Sequence, residues 1–117
     1  MATIMHIAEK AAWQVALEAG AYRAPSLEAQ GFIHFSAPSQ VLRVASAYYT
    51  GRRDLVLLVI DTDALTADLR YEVPEGEDTT EQFPHLYGLL NLDAVTQVLS
   101  FQPGADGAFA LPPELTA

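Results

Sequence analysis

The sequence predicts a single α+β domain, and three observations lead to that prediction. The chain has 117 residues, 50% of them apolar, which is enough for one hydrophobic core and too little for a second domain of ordinary size. Helical and strand patterns are segregated, with two amphipathic helices in the first half and mostly strands after them, which favours α+β over a doubly wound sheet. No G-x-G-x-x-G motif follows a strand, so a Rossmann-type cofactor site has no support.

The N-terminal part predicts a strand, a helix and a loop. Residues 3 to 8 (TIMHIA) combine β-branched and apolar side chains in a short run, as a strand does. Residues 8 to 20 place apolar side chains on one helical face, and Gly20 is the expected end of that helix. Residues 21 to 31 (AYRAPSLEAQG) are predicted as a loop or broken turn, because Pro25 favours an extended residue before it.

The next segment predicts a second strand and a second helix. Residues 32 to 35 (FIHF) are the expected strand. Residues 36 to 51 (SAPSQVLRVASAYYTG) carry apolar side chains on one face and end at a glycine, which is typical of an amphipathic helix. Ser36 or Ser39 is the expected N-cap of this helix, since a serine side chain accepts hydrogen bonds from the free N–H groups of a first turn.

Strands and loops are predicted in the second half. Residues 54 to 61 (DLVLLVID) are almost wholly apolar, which predicts a strand covered on both faces in the middle of a sheet. Residues 69 to 73 (LRYEV) alternate as a half-buried strand does. Residues 74 to 82 (PEGEDTTEQ) are acidic and without periodicity, which predicts a mobile surface loop.

The C-terminal part predicts a turn, a strand and a hairpin. The stretch FPHLYGLLNLDAV, residues 83 to 95, is expected to contain a turn, and an alternating strand is expected to begin at Val95. In residues 103 to 113 (PGADGAFALPP), the glycine-rich turn allows a last hairpin.

Charge is unevenly distributed along the chain. The formal net charge is −9, and all six basic residues lie within the first 70 positions. Such a field repels polyanions, so non-specific binding to nucleic acid is not expected. A small anionic ligand could still use a local pocket, with its phosphates near Arg23, Arg43 or the pair formed by Arg52 and Arg53. Solvated surface charge is the favoured interpretation for each of these arginines taken singly, and Arg23 is the candidate cofactor-binding residue.

Three absences predict the compartment of the protein. No apolar run approaches the roughly 20 residues that a membrane span needs. The N-terminus lacks the basic start and apolar block of a secretion signal. The chain has no cysteine, which excludes thiolate and disulfide chemistry and is compatible with a reducing cytoplasm. We therefore expect a cytoplasmic protein that does not bind membranes.

The three histidines are the candidate functional residues. His6, His34 and His85 each stand among apolar neighbours, in IMHIA, FIHFS and FPHLYG. An imidazole with a pKa near neutrality is able to donate, accept or bind a metal at physiological pH. A histidine in a strand is also often a structural residue that bonds to the backbone. The similar contexts favour one shared site, with the structural role as the alternative for each histidine.

Two metal sites were considered, and neither is expected. Three histidines with an open fourth position would suit a hydrolytic zinc ion, but no H-x-H, H-x₃-H or H-E-x-x-H pattern fixes two ligands on one element. In VIDTD, Asp61 and Asp63 have the residue types of a magnesium site. A strand-ending aspartate followed by threonine more often makes an Asx turn, which we predict at Asp61.

Several motifs resemble one known family. The stretches MHIAEKAAWQVALEAGAYRAPSLEAQGFIHFS, DLVLLVID and FPHLYGLLNLDAV are together similar to the bacterial DUF952 family of small uncharacterised proteins, over almost the whole chain. The specific matches are H-I-A, G-F-I-H-x-S and F-P-H-x-Y-G-x-L-N. This family is associated with the ADP-ribosyltransferase-type fold, a split and strongly bent antiparallel sheet that holds NAD in a cleft. The resemblance implies that fold.

The resemblance also implies roles for individual residues. His6 matches the first-strand position that contacts the adenosine ribose. His34 stands where an aromatic ring is placed on the nicotinamide, and an imidazole is also able to stack on a flat base. His85 is implied in acid–base catalysis or ribose contact. Supporting contacts to the ligand are implied for the following residues: Ser36, Tyr87 and Asn91.

The resemblance leaves the catalytic carboxylate open. Transferases of the His-Tyr-Glu type use a glutamate that holds a ribose hydroxyl and stabilises the cation formed as nicotinamide leaves. The motif around His85 contains no glutamate, and Glu72 and Asp93 match no motif. The expected function is binding of NAD or another nucleotide-like ligand in a cleft lined by three histidines, with transfer of a glycosyl or phosphoryl group. The alternatives are a non-catalytic nucleotide-binding module and, third, a three-histidine metal-dependent hydrolase.

Overall fold

Eight strands and three α-helices follow one another in the computed structural model, which describes residues 2–74, 76–77 and 79–115. The strands are β1 (Thr3–Glu9), β2 (Ala21–Tyr22), β3 (Ile33–His34), β4 (Leu55–Asp61), β5 (Asp68–Glu72), β6 (Phe83–Tyr87), β7 (Leu90–Asn91) and β8 (Val95–Phe101). The helices are α1 (Lys10–Ala19), α2 (Pro25–Gln30) and α3 (Val41–Tyr48). These elements confirm the predicted α+β class.

The strands form three small antiparallel sheets. The first has the order β1-β4-β8, the second pairs β2 with β7, and the third has the order β3-β6-β5. Strand β4 is the centre of the first sheet, and its residues 55 to 60 are all buried, as the apolar run predicted. Because successive side chains of a strand point to opposite faces, β4 contributes to two separate apolar clusters.

The two clusters lie on the two faces of the first sheet. The first apolar cluster takes Val56, Leu58 and Ile60 from β4. The second takes Leu55, Leu57 and Val59. Further members of the first cluster include Ile4, Trp13, Tyr22, Ile33, Phe35, Leu86 and Leu90. Further members of the second include Met5, Ile7, Val41, Ala45, Leu99, Phe101 and Phe109. The helix α3 therefore packs on one face, and β3 and β6 contribute to the core on the other.

A short crossing connects the first and third sheets. His34 pairs with His85 of β6, and the N–H of the next residue, Phe35, donates to the carbonyl of Pro84 at 2.9 Å. One residue later, the chain has reached the first sheet, because the N–H and C=O of Ser36 exchange 2.8 Å hydrogen bonds with Met5 of β1. This segment thus brings β1, β3 and β6 together, and it explains why a polar histidine and serine interrupt the apolar FIHFS stretch.

Several predicted elements are confirmed. Strand β1 and helix α1 lie where the patterns placed them, and α1 ends at Gly20, whose φ of 87° is the left-handed conformation that glycine adopts most readily. Strands β5 and β8 match the predicted alternating stretches, and β8 begins at Val95. The expected Asx turn also forms, since Oδ1 of Asp61 accepts from the N–H of Asp63 at 3.0 Å.

The prediction of only two helices in the first half is wrong. Helix α2 occupies part of the stretch predicted as a loop or broken turn. Pro25 is its first residue, and the fixed φ of proline suits that position, while Gly31 ends the helix with a φ of 90°. The proline and glycine that indicated a loop therefore act as the start and stop signals of a short helix.

The predicted cap of the next helix is also wrong. The N-cap of α3 is Gln40, and neither Ser36 nor Ser39 takes that place. The backbone of Ser36 is used in the bridge to Met5 instead. The Gln40 side chain accepts from the N–H of Ala37 at 2.9 Å and so closes the preceding turn.

Two predictions in the C-terminal half need correction. The segment FPHLYGLLNLDAV was predicted to contain a turn and no strand before Val95, but its first five residues form β6, the central strand of the third sheet, despite their proline. The last hairpin is absent from the described residues, because no strand follows Phe101 up to residue 115. A turn forms there, with Gly104 N–H bonded to the carbonyl of Ala108 at 2.9 Å, and Phe109 then stacks on Phe101 at 4.9 Å between ring centroids.

The acidic stretch of residues 74 to 82 forms no helix or strand where it is described. Glu75 and Asp78 lie outside the described residues. Its C-terminal end is bound to α3, because both guanidinium nitrogens of Arg43 donate to Glu81 at 3.0 and 2.5 Å. Among the described residues, no helix has the length and apolar character required to cross a bilayer.

Candidate functional site

An open cleft of about 1080 Å³ brings the three histidines together. Its walls come from β1, the segment around β3, helix α3 and the neighbouring strands β5 and β6. The residues that line this cleft include His6, Phe32, His34, Ser36, Arg43, Glu72, His85 and Tyr87. The predicted convergence of the histidines is therefore a feature of the fold.

Four aromatic rings form a ring cluster in the cleft: Phe32, His34, His85 and Tyr87. His34 and His85 face each other in register across β3 and β6, and their ring centroids are 5.3 Å apart in an edge-on arrangement. Phe32 stacks on His85 at 4.1 Å and also contacts His34 at 4.9 Å and Tyr87 at 5.3 Å. Only Phe32 and His85 are nearly parallel, at 20°, and the other pairs are inclined, so the cluster gives the cleft an aromatic wall with polar edges rather than a flat floor. The face of a single ring suits contact with a planar ligand.

A carboxylate stands at the edge of the ring cluster. Oε1 of Glu72 accepts a hydrogen bond from Nδ1 of His85 at 2.9 Å and another from the Tyr87 hydroxyl at 2.5 Å. These bonds, from Tyr87 first and His85 second, hold the pKa of the Glu72 carboxyl below its usual value. The same bond to Glu72 raises the pKa of Tyr87. Glu72 is therefore ionised at neutral pH and fixed in place by two donors.

The register of the third sheet explains this geometry. Arg70 lies opposite His85, and Glu72 lies opposite Phe83. Alternate residues of a strand share a face, so Glu72 and Arg70 project on the same side as His85 and Tyr87. The guanidinium carbon of Arg70 lies 4.5 Å from the centroid of the Tyr87 ring, a cation–π contact that packs this side of the cluster.

His6 uses both of its ring nitrogens within the fold. Nδ1 lies 2.5 Å from the carbonyl oxygen of His34, and Nε2 lies 2.9 Å from the hydroxyl of Tyr22. Because a carbonyl only accepts, Nδ1 carries the hydrogen, and Nε2 accepts from Tyr22. Burial lowers the pKa of His6 to about 4, so the ring is neutral at physiological pH. This is the structural role considered for a strand histidine, and a ribose contact through a ring nitrogen would have to replace one of these bonds.

His34 and Ser36 are placed differently from His6. His34 is exposed, and its Nε2 lies 2.7 Å from the side-chain oxygen of Gln30, so that Nε2 donates. Partial burial lowers the pKa of His34, and the adjacent His85 lowers it further. Ser36 is buried in the cleft wall, with its backbone bonded to Met5. His34 is therefore the histidine most accessible to a ligand.

Two predicted ligand contacts lie outside the cleft. Arg23 pairs with Glu28 at 3.1 Å and lines a second cavity of about 540 Å³, which shares His6 and His34 with the larger one. Asn91 bonds to the backbone carbonyl of Ala64 at 2.8 Å and to the Asp93 carboxylate at 2.6 Å, so its amide holds a turn near the second sheet. Neither residue is among those that line the larger cleft.

Metal-binding geometry is absent from the part of the chain that the structure describes. No group of three histidine or carboxylate side chains there is arranged to hold a metal ion. The histidines share a cleft, but His6 commits both nitrogens to protein partners and His85 commits Nδ1 to Glu72. The three-histidine hydrolase therefore has no geometric support among these residues.

Comparison with known proteins places this cleft in a family. The family described as "Protein of unknown function (DUF952)" matches residues 7–98. The chain belongs to the DUF952 family. The chain is similar to the crystal structure of protein CC0527 from Caulobacter crescentus, at 33% sequence identity and a TM-score of 0.85, over 98% of this chain and 99% of that one. It is also similar to the solution NMR structure of CC0527, at 33% identity and a TM-score of 0.81, over 97% of each chain. No curated protein matches.

The DUF952 match contains the whole ring cluster and Glu72, and it begins one residue after His6. Sequence reasoning named the three histidines and Tyr87 but gave no role to Phe32 or Glu72. The sequence did contain one signal for Glu72. Residues 70 and 72 share one face of a strand, and residues 85 and 87 share a face if FPHLY is also a strand, so pairing of the two strands could bring Glu72 to His85 and Tyr87. No strand was predicted within FPHLY, and this concealed that pairing.

The neutral, buried His6 of this DUF952 protein predicts a loss of stability in mild acid. Its pKa falls from 6.5 to about 4 on folding, so between these pH values the unfolded chain binds the additional proton. Stability then rises with pH across this window and is complete above about pH 6.5. His6 is expected to lower the free energy of unfolding by about 3 kcal/mol between pH 7 and pH 4.

Urea unfolding at several pH values measures this loss, with His6→Gln as the matched variant. Glutamine keeps a donor and an acceptor but does not titrate, and the carboxylates and His34 titrate in both proteins. The wild-type curve should therefore fall more steeply with decreasing pH than the variant curve. Parallel curves between pH 4 and pH 6.5 would show that His6 keeps an ordinary pKa.

Proposed function

We propose that the cleft binds a nucleotide-like ligand, with NAD as the first candidate, in an ADP-ribosyltransferase-like site whose carboxylate is Glu72. The observation that carries this proposal is the position of Glu72, held by His85 and Tyr87 beside the ring cluster in a cleft of about 1080 Å³. The His-Tyr-Glu arrangement implied by the resemblance lacked a glutamate in its sequence motifs. Glu72, contributed by the neighbouring strand β5, is the candidate for that role.

The size and surface of the cleft support a nucleotide. Small-molecule sites have volumes of roughly 300 to 1000 Å³ and combine apolar and aromatic walls with a few polar groups. The rings of His34 and Phe32 provide a stacking surface for a flat base or for nicotinamide. Arg43 lines the same cleft and offers a positive charge to a phosphate, although it also pairs with Glu81.

Glu72 would act on the charge that develops during glycosyl transfer. When the bond between ribose C1′ and the nicotinamide nitrogen breaks, its electron pair leaves with nicotinamide and C1′ becomes cationic. An ionised carboxylate in a partly dry cleft stabilises that cation. The oxygen of the acceptor, a hydroxyl group or water, then bonds to C1′, and its proton passes to bulk water. The hydrogen bonds that keep the pKa of Glu72 low would preserve the negative charge at neutral pH.

A non-catalytic nucleotide-binding module is the second candidate. The observation that favours it concerns His6, which the resemblance assigns to the ribose. Both of its nitrogens are bonded to protein partners, Tyr22 and the His34 carbonyl. A cleft that keeps stacking rings but lacks a free ribose-binding histidine would still bind a flat ligand without turning it over.

Calorimetry with NAD at low salt tests the proposal, with released nicotinamide followed in the same sample. His34→Ala is expected to weaken NAD binding by about tenfold or more, because stacking of a base on a ring contributes about 1 to 3 kcal/mol. Tyr71→Ala is the matched control, since Tyr71 is an exposed aromatic residue of β5 that does not line the cleft. Wild-type protein that takes up no NAD would discard NAD as the ligand, and equal effects of both substitutions would remove His34 from the site.

A further inference from the structure

One ring nitrogen in the cleft stands without a partner. His85 is 2% exposed, and its Nδ1 is bonded to Glu72. Within the part of the chain that the structure describes, Nε2 of His85 is buried and has no hydrogen-bonding partner. Buried polar atoms in folded proteins are almost always paired, so an unpaired one in a cleft wall indicates a missing ligand group or water.

The bond to Glu72 determines the chemical character of this nitrogen. An ionised carboxylate only accepts hydrogen bonds, so Nδ1 must carry the hydrogen. A neutral imidazole carries a hydrogen on one nitrogen only, which leaves a lone pair on Nε2. In the neutral ring Nε2 is therefore a hydrogen-bond acceptor, and its partner must be a donor.

The surroundings restrict which donor fits. Phe32 covers one face of the His85 ring at 4.1 Å, and the His34 ring meets it edge-on at 5.3 Å. These rings provide apolar cover, so the acceptor is screened from water. The negative charge of Glu72 on the other ring nitrogen repels an anionic group and leaves a neutral donor, such as an amide N–H or a hydroxyl, as the fitting partner.

We propose that Nε2 of His85 is a specificity-determining acceptor that recognises a neutral donor group of the bound ligand, an amide N–H or a hydroxyl, and excludes a carboxylate. Glu72 is the positioning residue that fixes the required tautomer through Nδ1. This inference rests on the proposed function and names the group of the ligand that the site selects. It requires a donor to reach Nε2 by moving Phe32 or His34, the two rings that contact His85 from the cleft.

The tautomer is tested by ¹⁵N NMR of the histidine rings in the complete chain. Nε2 of His85 should be unprotonated in the wild type. It should remain so in Glu72→Gln, because glutamine keeps an acceptor oxygen, and should become partly protonated in Glu72→Leu, which has none. A wild-type His85 that carries a hydrogen on Nε2 overturns this inference. That result does not bear on the proposed binding of NAD.

The ligand group is tested by comparing NAD with its nicotinic acid analogue, which replaces the amide by a carboxylate. NAD is expected to shift the Nε2 signal and to bind at least about tenfold more tightly than the analogue. If both ligands bind equally and both shift the signal, the donor is a ribose hydroxyl, and adenosine should shift the signal too. Bound NAD that leaves the signal unchanged overturns the inference while the proposed function stands.

A third experiment tests the acceptor role of Nε2 even if NAD is not the ligand. If NAD does not bind, benzamide and adenosine at millimolar concentration provide an amide and ribose hydroxyls without the dinucleotide. A shift of the Nε2 signal with either compound supports the acceptor and discards only NAD. A signal that NAD, benzamide and adenosine all leave unchanged overturns the acceptor itself.

Discussion

Replacing Glu72 by glutamine is expected to slow nicotinamide release from bound NAD by about 100- to 1000-fold, which is the loss found when a single charge-stabilising group is removed from an active site. Glutamine preserves the shape and the acceptor oxygen that His85 and Tyr87 use. Only the negative charge is lost, and that charge is what a cationic sugar requires. Single-turnover measurement of nicotinamide, with NAD affinity measured in parallel, separates the two effects.

Tyr87→Phe is the matched control for this substitution. It removes one of the two hydrogen bonds to the carboxylate but leaves the charge and the bond from His85. Its effect on release should therefore be smaller than that of Glu72→Gln. Unchanged release in Glu72→Gln would remove Glu72 from the chemistry, whereas NAD binding without release in the wild type would favour the non-catalytic module.

The fold was predictable from sequence where local pattern and tertiary environment agree. The run LVLLVI in β4 is apolar at every position because both faces of the strand are covered, so composition alone indicates a central strand. Strand β6 shows the opposite case. Its proline and the Gly88 that follows it are turn-forming residues, but pairing with β3 and β5 on either side keeps residues 83 to 87 extended.

The site was predictable to the extent that it depends on residue type. Histidines in apolar strands were recognisable as polar exceptions, and the structure brings all three to one cleft. Their hydrogen bonds depend on partners far along the chain. His6 bonds to Tyr22 and to the carbonyl of His34, and His85 bonds to Glu72. The pairing of β5 with β6 determines the contact of Glu72 with His85, and packing between different sheets determines the contacts of His6. No local motif therefore indicated Glu72 as a carboxylate of the cleft.

Leu58→Ala is expected to lower the free energy of unfolding by about 3 to 5 kcal/mol, which is the upper part of the range for leucine truncations in cores. Leu58 is fully buried at the centre of β4, where it pairs with His6 of β1 and Val98 of β8. It belongs to the first apolar cluster with Ile33 and Leu86, which come from the third sheet. The neighbouring strands hold the backbone on both sides, so the cavity cannot collapse easily.

Urea unfolding compares this variant with Val98→Ala, a truncation on the neighbouring strand at the residue that pairs with Leu58. Val98 is 41% exposed, so its replacement leaves no cavity and should cost well under half as much. The comparison keeps the sheet and the register constant and changes burial. If both variants lose similar stability, strand pairing rather than packing of the first cluster would dominate. The first cluster connects the first sheet to the strands that carry His34 and His85. If only Leu58→Ala loses stability, packing of this cluster is the main source of rigidity beneath the cleft.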